Sequence, residues 1–346
     1  MSIKKKFAKL MGYALIISVS YITLCVVMLC VSFMANQNGT LIKVWPISSY
    51  QKYLYFNSRR NIWQYEKGCV NNDRKLAYAP SHGSCKFNNI EFSTTLNFDS
   101  LGRFVPARID SSLNNGIAIL GDSHAMGWGV NDDETFSNVL QKKTQRPVFN
   151  LAVSSYATER EIIRLIEANL IHQLEIIIIQ YSSNDMGENS QKLNYTRQAR
   201  MYYTNGLKHI ITPSQRNWSN HLASLLSKKT MKKTLQIPLE KIKTAINKKN
   251  FRNKGPANFQ PHFNELKNVI KEYQEVLSDK RIIIFYSNGH GVKFKNFNEF
   301  SIKNMKSIEF VDLSISREMY FFLDDHLNVN GHKFVGQKLA DLIDSQ

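Results

Sequence analysis

The sequence predicts an α/β protein whose parallel sheet is covered by helices on both faces. From residue 116 to the end, continuous apolar runs of strand length alternate with amphipathic helical segments; the runs are 117–120, 148–153, 175–181, 281–286 and 308–313. A strand that is apolar at nearly every position is buried on both faces, as in the parallel sheets of βαβ proteins. We therefore expect a parallel five-stranded sheet.

Helical periodicity fills the gaps between these runs. Apolar residues recur every three or four positions after Gly121, in 159–172, in 263–277 and in 331–343. This is the pattern of helices with one buried face. In sheets connected this way, functional groups lie beyond the carboxyl ends of the strands.

The N-terminal segment predicts a membrane anchor. No charged residue lies between Leu10 and Ile42, and a helix over the apolar part, 10–35, would be about 39 Å long, which exceeds the roughly 30 Å of a bilayer's hydrocarbon core. Four lysines precede it, so 1–9 is expected to be a cytoplasmic tail and the rest of the chain to lie outside the cytoplasm. A cleaved signal peptide is the alternative, but its apolar region is about 7–15 residues long, and 33–35 makes a poor cleavage site.

Residues 36–109 are expected to form a linker and a small β-rich appendage. The pieces there are short, aromatic and separated by turn residues. Cys69 and Cys85 are the cysteines outside the apolar run, and in an oxidising compartment such a pair is expected to form a disulfide. A metal site is the weaker alternative, because His82 is the one histidine nearby.

A basic stretch, 191–260, interrupts the strand–helix pattern. It holds fifteen Lys or Arg residues and one acid, Glu240, and so supplies most of the net charge of +17. We interpret it as an insertion in the domain that spans 110–346. Three roles stay open: contact with anionic lipid headgroups, binding of an anionic glycan, or a solvated surface. Nucleic acid is not expected as a partner outside the cytoplasm.

Two polar motifs at strand ends carry the functional prediction. GDSH at 121–124 follows the first apolar run, and DDH at 324–326 precedes the last helix. A serine with a distant histidine and carboxylate predicts a nucleophile. The imidazole takes the serine proton, and the carboxylate holds the imidazole in the useful tautomer.

Together with NLAVSSYAT at 150–158 and SND at 183–185, these motifs resemble in order the blocks of the SGNH (GDSL-type) hydrolase superfamily. The resemblance covers 110–346, roughly two thirds of the chain. An isolated GDS triplet could equally be a turn or a helix cap, so the four blocks together carry the likeness. It implies a flavodoxin-like three-layer α/β/α sandwich, with Ser123 as nucleophile and His326 as base.

The resemblance also implies three donors to the oxyanion of the reaction. They are the backbone N–H groups of Ser123 and Ser155 and the side-chain amide of Asn184. Ser155 stands where the superfamily usually has glycine; the N–H survives that change, but the conformational freedom of glycine does not.

The acid of the triad departs from the usual spacing. The superfamily usually places it three residues before the histidine, where this chain has Leu323. We favour Asp324 over Asp325, a spacing that resembles membrane-associated polysaccharide O-acetyltransferases of the same superfamily. Asp122 and His124, which flank the nucleophile, are expected to support the catalytic residues without reacting themselves, and so is Asp325.

These features predict a membrane-anchored serine esterase facing out of the cytoplasm, acting on glycan or lipid esters of the cell envelope. Two alternatives stay open: an O-acyltransferase working with envelope polysaccharide machinery, and a catalytically idle module that binds a glycan or a partner. No cofactor or metal is implied, because the sequence has no HExxH, no paired CxxC and no glycine-rich phosphate loop.

Overall fold

The computed structural model describes residues 3–73, 75–106, 109, 115–182, 184–190, 225–251, 260–287, 302 and 305–345. The α-helices of these residues are α1 (Ile3–Gln37), α2 (Ile47–Leu54), α3 (Ser123–Met126), α4 (Phe136–Thr144), α5 (Thr158–Glu167), α6 (Asp185–Asn189), α7 (Lys228–Phe251), α8 (Gln260–Glu272), α9 (Gln274–Leu277) and α10 (Val329–Asp344). The strands are β1 (Val70–Asp73), β2 (Ala77–Pro80), β3 (Gly83–Asn88), β4 (Ser93–Asp99), β5 (Gly102–Arg103), β6 (Gly116–Leu120), β7 (Val148–Asn150), β8 (Leu174–Tyr181), β9 (Arg281–Tyr286) and β10 (Ser307–Val311). Ser183 and, within the basic insertion, 191–224 and 252–259 lie outside the described residues.

The chain divides into two compact units, 1–60 with 214–255, and 61–213 with 256–346. The larger unit contains an eight-stranded sheet in the order β10-β9-β8-β6-β7-β5-β4-β3. The strands from β10 to β7 are parallel, which confirms the five parallel strands expected from the apolar runs. A separate two-stranded sheet pairs β1 with β2.

The sheet lies between two layers of helices. Along β8, Ile176 and Ile178 pack in one core with α4 and α10, while Ile177 and Ile179 pack in a second core with α5 and α8. Successive side chains of a strand point to opposite faces, so an unbroken apolar strand serves both cores. The result is the predicted three-layer α/β/α sandwich.

The β-rich segment is joined more closely to the sandwich than an appendage would be. Strands β3, β4 and β5 continue the main sheet in antiparallel order, and β5 joins β7 where Arg103 pairs with Asn150. The disulfide between Cys69 and Cys85 links β3 to the segment that precedes β1. Short polar segments of this kind predict β-strands, but their sequence does not indicate which edge of which sheet those strands join.

The smaller unit is built from α1, α2 and α7. Pro238 interrupts α7 and removes one backbone N–H, which leaves the Thr234 carbonyl without its usual helical partner. The Tyr50 hydroxyl donates to that carbonyl at 2.6 Å, and the Tyr21 hydroxyl donates to the Leu235 carbonyl at 2.8 Å. The helix α7 is thereby held against α1 and α2 at the point where proline weakens it.

The helix α1 has the length and composition of a membrane span from Lys5 to Gln37. Its first half presents bare apolar side chains, and Leu15, Ile16 and Ile17 are each more than 60% exposed. Its second half packs against α2 through Leu29 and Phe33. Removing α1 would therefore uncover the core of the smaller unit.

Candidate active site

The nucleophile motif forms a tight turn between β6 and α3. A Cβ atom at Gly121 would lie 2.7 Å from the Ala125 Cβ and 2.9 Å from the Gln180 Cβ, so the turn has no room for a larger residue. Asp122 then caps α3 by accepting the His124 N–H at 2.9 Å. This turn places Ser123 at the carboxyl end of the central strand.

Ser123, His326 and Asp324 are joined in one hydrogen-bonded chain. The Oγ of Ser123 lies 2.6 Å from the Nε2 of His326, and the Nδ1 of His326 lies 2.5 Å from the Oδ1 of Asp324. An ionised carboxylate only accepts hydrogen bonds, so Nδ1 carries the proton and Nε2 is left as the acceptor for the serine hydroxyl. These residues come from opposite ends of the domain, 203 positions apart for Ser123 and His326.

The two neighbouring aspartates have different surroundings. Asp324 is fully buried, and its second carboxylate oxygen accepts the Nε1–H of Trp128 at 3.1 Å. Asp325 instead pairs with Arg317 at 3.1 Å and is partly exposed. Of the two, it is Asp324 that the structure brings to the imidazole.

Two rings hold the imidazole of His326. The Trp128 ring stacks on it with 4.5 Å between centroids and a 12° angle, and the His124 ring lies 4.6 Å away. His124 is itself fixed by Ser287, whose Oγ lies 3.2 Å from its Nδ1. His332, by contrast, lies in α10 and accepts the Phe136 N–H. Burial lowers the pKa of His332 to about 3, so this residue stays neutral.

Asp122 is linked to the end of β8. The Ser182 hydroxyl lies 2.7 Å from the Asp122 Oδ2 and also contacts the side-chain oxygen of Asn184. Burial raises the pKa of Asp122, while the hydrogen bonds from Ser182 and His124 oppose that rise. The Asn184 side chain is exposed, and its amide nitrogen carries two protons that can be donated to a ligand.

Ser155 adopts a backbone conformation that glycine reaches more easily than any other residue. Its φ is +63°, in the left-handed region. Two contacts hold it there: Gln64 Nε2 donates to its Oγ at 2.9 Å, and Arg160 donates to its carbonyl at 2.6 Å. The backbone N–H groups of Ser155 and Ser123 have no hydrogen-bond acceptor among the described residues. Both are therefore available to a developing oxyanion.

Replacing Ser155 with glycine is expected to keep kcat for ester hydrolysis within about threefold, because the N–H and the turn are both retained. Replacing it with valine keeps the N–H but places a β-branched residue at positive φ, which such residues strongly disfavour. We expect Ser155→Val to lower kcat at least tenfold, in line with the roughly 10²–10³ cost of losing one oxyanion donor. Equal activity of the two variants would show that this N–H plays no part.

Two buried carboxyls lie behind the site. Burial raises the pKa of both Glu161 and Asp185 well above the ordinary range, and the neighbouring carboxylates add to the effect. Asp185 contacts the Ser182 hydroxyl, which also contacts Asp122. Within the described ranges, no group of three or more His, Cys, Asp or Glu side chains is arranged to hold a metal ion.

Comparisons with solved structures give low-identity neighbours. The first is a Desulfitobacterium hafniense protein described as lipolytic and of the G-D-S-L family, with 12% identity, a TM-score of 0.37, and coverage of 66% of this chain and 98% of that one. The second is a Clostridium thermocellum family two carbohydrate esterase, with 10% identity, a TM-score of 0.37, and coverage of 69% and 65%. A Myceliophthora fergusii family 2 carbohydrate esterase has 12% identity, a TM-score of 0.37, and coverage of 70% and 69%.

No protein-family model and no curated protein matches the chain. With identities this low and TM-scores below 0.5, the neighbours assign no activity. The geometry around Ser123 is what bears on function.

Several residues of the site escape sequence reasoning. Arg103 reaches from β5 to the Met126 and Gly127 carbonyls at the end of α3, and its Nε pairs with Asp132 at 2.6 Å. Asn150 donates to the Ala125 carbonyl at 3.0 Å, so α3 is held from two sides. Two further residues of the site do leave a local signal in the sequence. Trp128 lies in a Gly-Trp-Gly sequence shortly after the nucleophile, and Ser182 lies at the end of a buried apolar strand.

Proposed function

We propose that the protein is a membrane-anchored serine esterase that acts on ester groups of the cell envelope. The observation that carries this proposal is the hydrogen-bonded chain from Asp324 through His326 to Ser123. Serine is a weak nucleophile until a base removes its proton. Here the base lies within hydrogen-bond distance of the hydroxyl, and a buried carboxylate fixes its tautomer.

This geometry supports a two-step reaction through an acyl-serine. His326 Nε2 takes the proton as Ser123 Oγ attacks the ester carbonyl, and the N–H groups of Ser123 and Ser155 and the Asn184 amide stabilise the oxyanion. The imidazolium then gives its proton to the leaving alkoxide, and an acyl-serine remains. A water molecule, deprotonated by His326, attacks the acyl-serine, and the free acid and the serine hydroxyl are released.

The location of the substrate is argued from the N-terminal helix. Its bare apolar half suits the hydrocarbon of a bilayer, and the lysines before it favour a cytoplasmic N-terminus with the catalytic unit on the other side. An enzyme held there meets envelope glycans and lipids. The large excess of basic residues suits an anionic polymer.

An O-acyltransferase would use the same acyl-serine and differ in its last step, where a sugar hydroxyl replaces water. Purified full-length protein in detergent should therefore be given 4-nitrophenyl acetate with increasing amounts of envelope glycan fragments. For an esterase, acetate release equals nitrophenol release at every glycan concentration. If nitrophenol release rises while acetate falls short and acetylated glycan accumulates, the protein is a transferase.

Ester turnover, combined with a labelling experiment, tests the alternative of a catalytically idle module. A fluorophosphonate probe reacts with activated serines, and we expect it to label Ser123. Absence of both ester turnover and labelling, in protein that unfolds cooperatively on heating, would leave the glycan-binding or partner-binding module as the better account.

A further inference from the structure

We infer that Glu91, on the turn between β3 and β4, is a positioning residue for the acid–base loop of the active site. The inference rests on the proposed function of Ser123, His326 and Asp324. It gives the β-rich segment, whose strands β3 to β5 extend the main sheet, a role in positioning the active-site loop.

The Glu91 carboxylate binds three consecutive backbone N–H groups of that loop. Its Oε1 accepts from Phe322 at 2.7 Å, and its Oε2 accepts from Leu323 at 2.7 Å and from Asp324 at 2.8 Å. Charge-assisted hydrogen bonds of this kind are about twice as strong as neutral ones. Glu91 therefore fixes the backbone of Asp324 itself, two residues before His326.

Aromatic packing carries the same restraint to the imidazole. The Phe92 ring lies 5.2 Å from the Phe321 ring and 5.3 Å from the Phe87 ring. The Phe87 ring in turn meets Trp128 at 4.6 Å, edge to face. Trp128 stacks on His326 and donates to Asp324. The β3–β4 turn thus contacts the acid loop directly through Glu91 and reaches the base through these rings.

The space between the turn and the loop is closely filled. A Cβ atom at Gly129 would lie 2.7 Å from the Phe92 ring and 2.8 Å from the Phe321 ring. The strand β3 that carries the turn is tied by the Cys69–Cys85 disulfide. Neither the β3–β4 turn nor the loop that carries Asp324 can shift without disturbing these packed rings. The position of the Glu91 carboxylate therefore determines the position of Asp324.

The number of acceptor oxygens at position 91 distinguishes a positioning role of Glu91 from a general contribution to the stability of the fold. A carboxylate offers two acceptor oxygens, whereas the amide of Glu91→Gln offers one acceptor and turns an NH₂ group toward N–H donors. The loop should then shift by a fraction of an ångström while the fold remains. Small misplacement of a catalytic group lowers the rate of the chemical step, by as much as about 10²-fold for 1 Å, and it leaves substrate binding largely unchanged.

The test compares Glu91→Gln, Glu91→Asp and the control Ser93→Ala in the full-length protein. Ser93 lies at the start of β4, and its exposed hydroxyl donates to the side-chain oxygen of Asn88. With 4-nitrophenyl acetate, we expect Glu91→Gln to lower kcat about 10–100-fold with KM within about threefold, and to slow fluorophosphonate labelling of Ser123 to a similar degree. Glu91→Asp keeps the charge and both oxygens at shorter reach, so its kcat should lie between those of Glu91→Gln and wild type.

Thermal unfolding and near-ultraviolet circular dichroism check that each variant keeps its fold. Wild-type kcat in Glu91→Gln would overturn the inference, and so would a loss of kcat that Glu91→Asp does not partly restore. If the wild-type protein itself neither turns over ester nor labels, the failure belongs to the proposed function and not to Glu91.

Discussion

Replacing Ser123 with alanine is expected to lower kcat for ester hydrolysis by about 10⁴-fold or more, in line with the effect of removing the nucleophile from well-studied serine enzymes. The variant keeps the oxyanion donors and the base, but no acyl-enzyme can form. Because Ser123 contributes only a small buried side chain at the start of α3, the fold should survive.

The measurement is the release of nitrophenol from 4-nitrophenyl acetate by full-length protein in detergent. Ser345→Ala is a suitable control, since the hydroxyl of that exposed serine, at the end of α10, donates to the Leu342 carbonyl. Comparable thermal unfolding of wild type and both variants would exclude a folding defect. Retention of more than a few per cent of wild-type kcat by Ser123→Ala would mean that another group performs the reaction.

Replacing Asp324 with asparagine is expected to lower kcat by roughly 10³–10⁴-fold, because the amide can donate to Nδ1 and stabilise the wrong imidazole tautomer. Asn at this position can still accept the Trp128 N–H, so the loop should remain in place. The chain offers a matched control next door: Asp325→Asn removes the same charge from the adjacent residue, which pairs with Arg317 at the surface.

We expect Asp325→Asn to keep kcat within about threefold, since exposed ion pairs contribute about 0–1 kcal/mol. Comparing the two variants under identical conditions separates the role of each carboxylate from the effect of lost charge. A larger loss in Asp325→Asn than in Asp324→Asn would contradict the assignment of the triad acid.

The fold was predictable to the extent that burial leaves a pattern in the sequence. Strands such as β8 and β9 are apolar at nearly every position because both of their faces are buried, and that alone indicated a parallel sheet between helices. The pairing of Arg103 with Asn150, which brings the β-rich segment into the same sheet, leaves no such pattern. Partner choice at a sheet edge depends on long-range packing.

The site was predictable where residues act through local motifs. The proximity of Ser123, Asp324 and His326 was expected from motif order, and the positive φ of Ser155 is consistent with the glycine that the superfamily usually has there. Glu91 carries no comparable signal, because it contacts backbone N–H groups more than 230 positions away. Every residue except proline has a backbone N–H, so nothing in the loop sequence indicates that a carboxylate binds these groups.

The most direct test is to trap the acyl-enzyme. Full-length protein is mixed with 4-nitrophenyl acetate, quenched in acid within seconds, digested, and analysed by mass spectrometry alongside Ser123→Ala. We expect one acetyl group on the peptide that contains Ser123, absent from the variant and lost with time in the wild type. Turnover with no acetyl on that peptide, or equal acetylation of both proteins at another residue, would contradict a serine nucleophile at position 123.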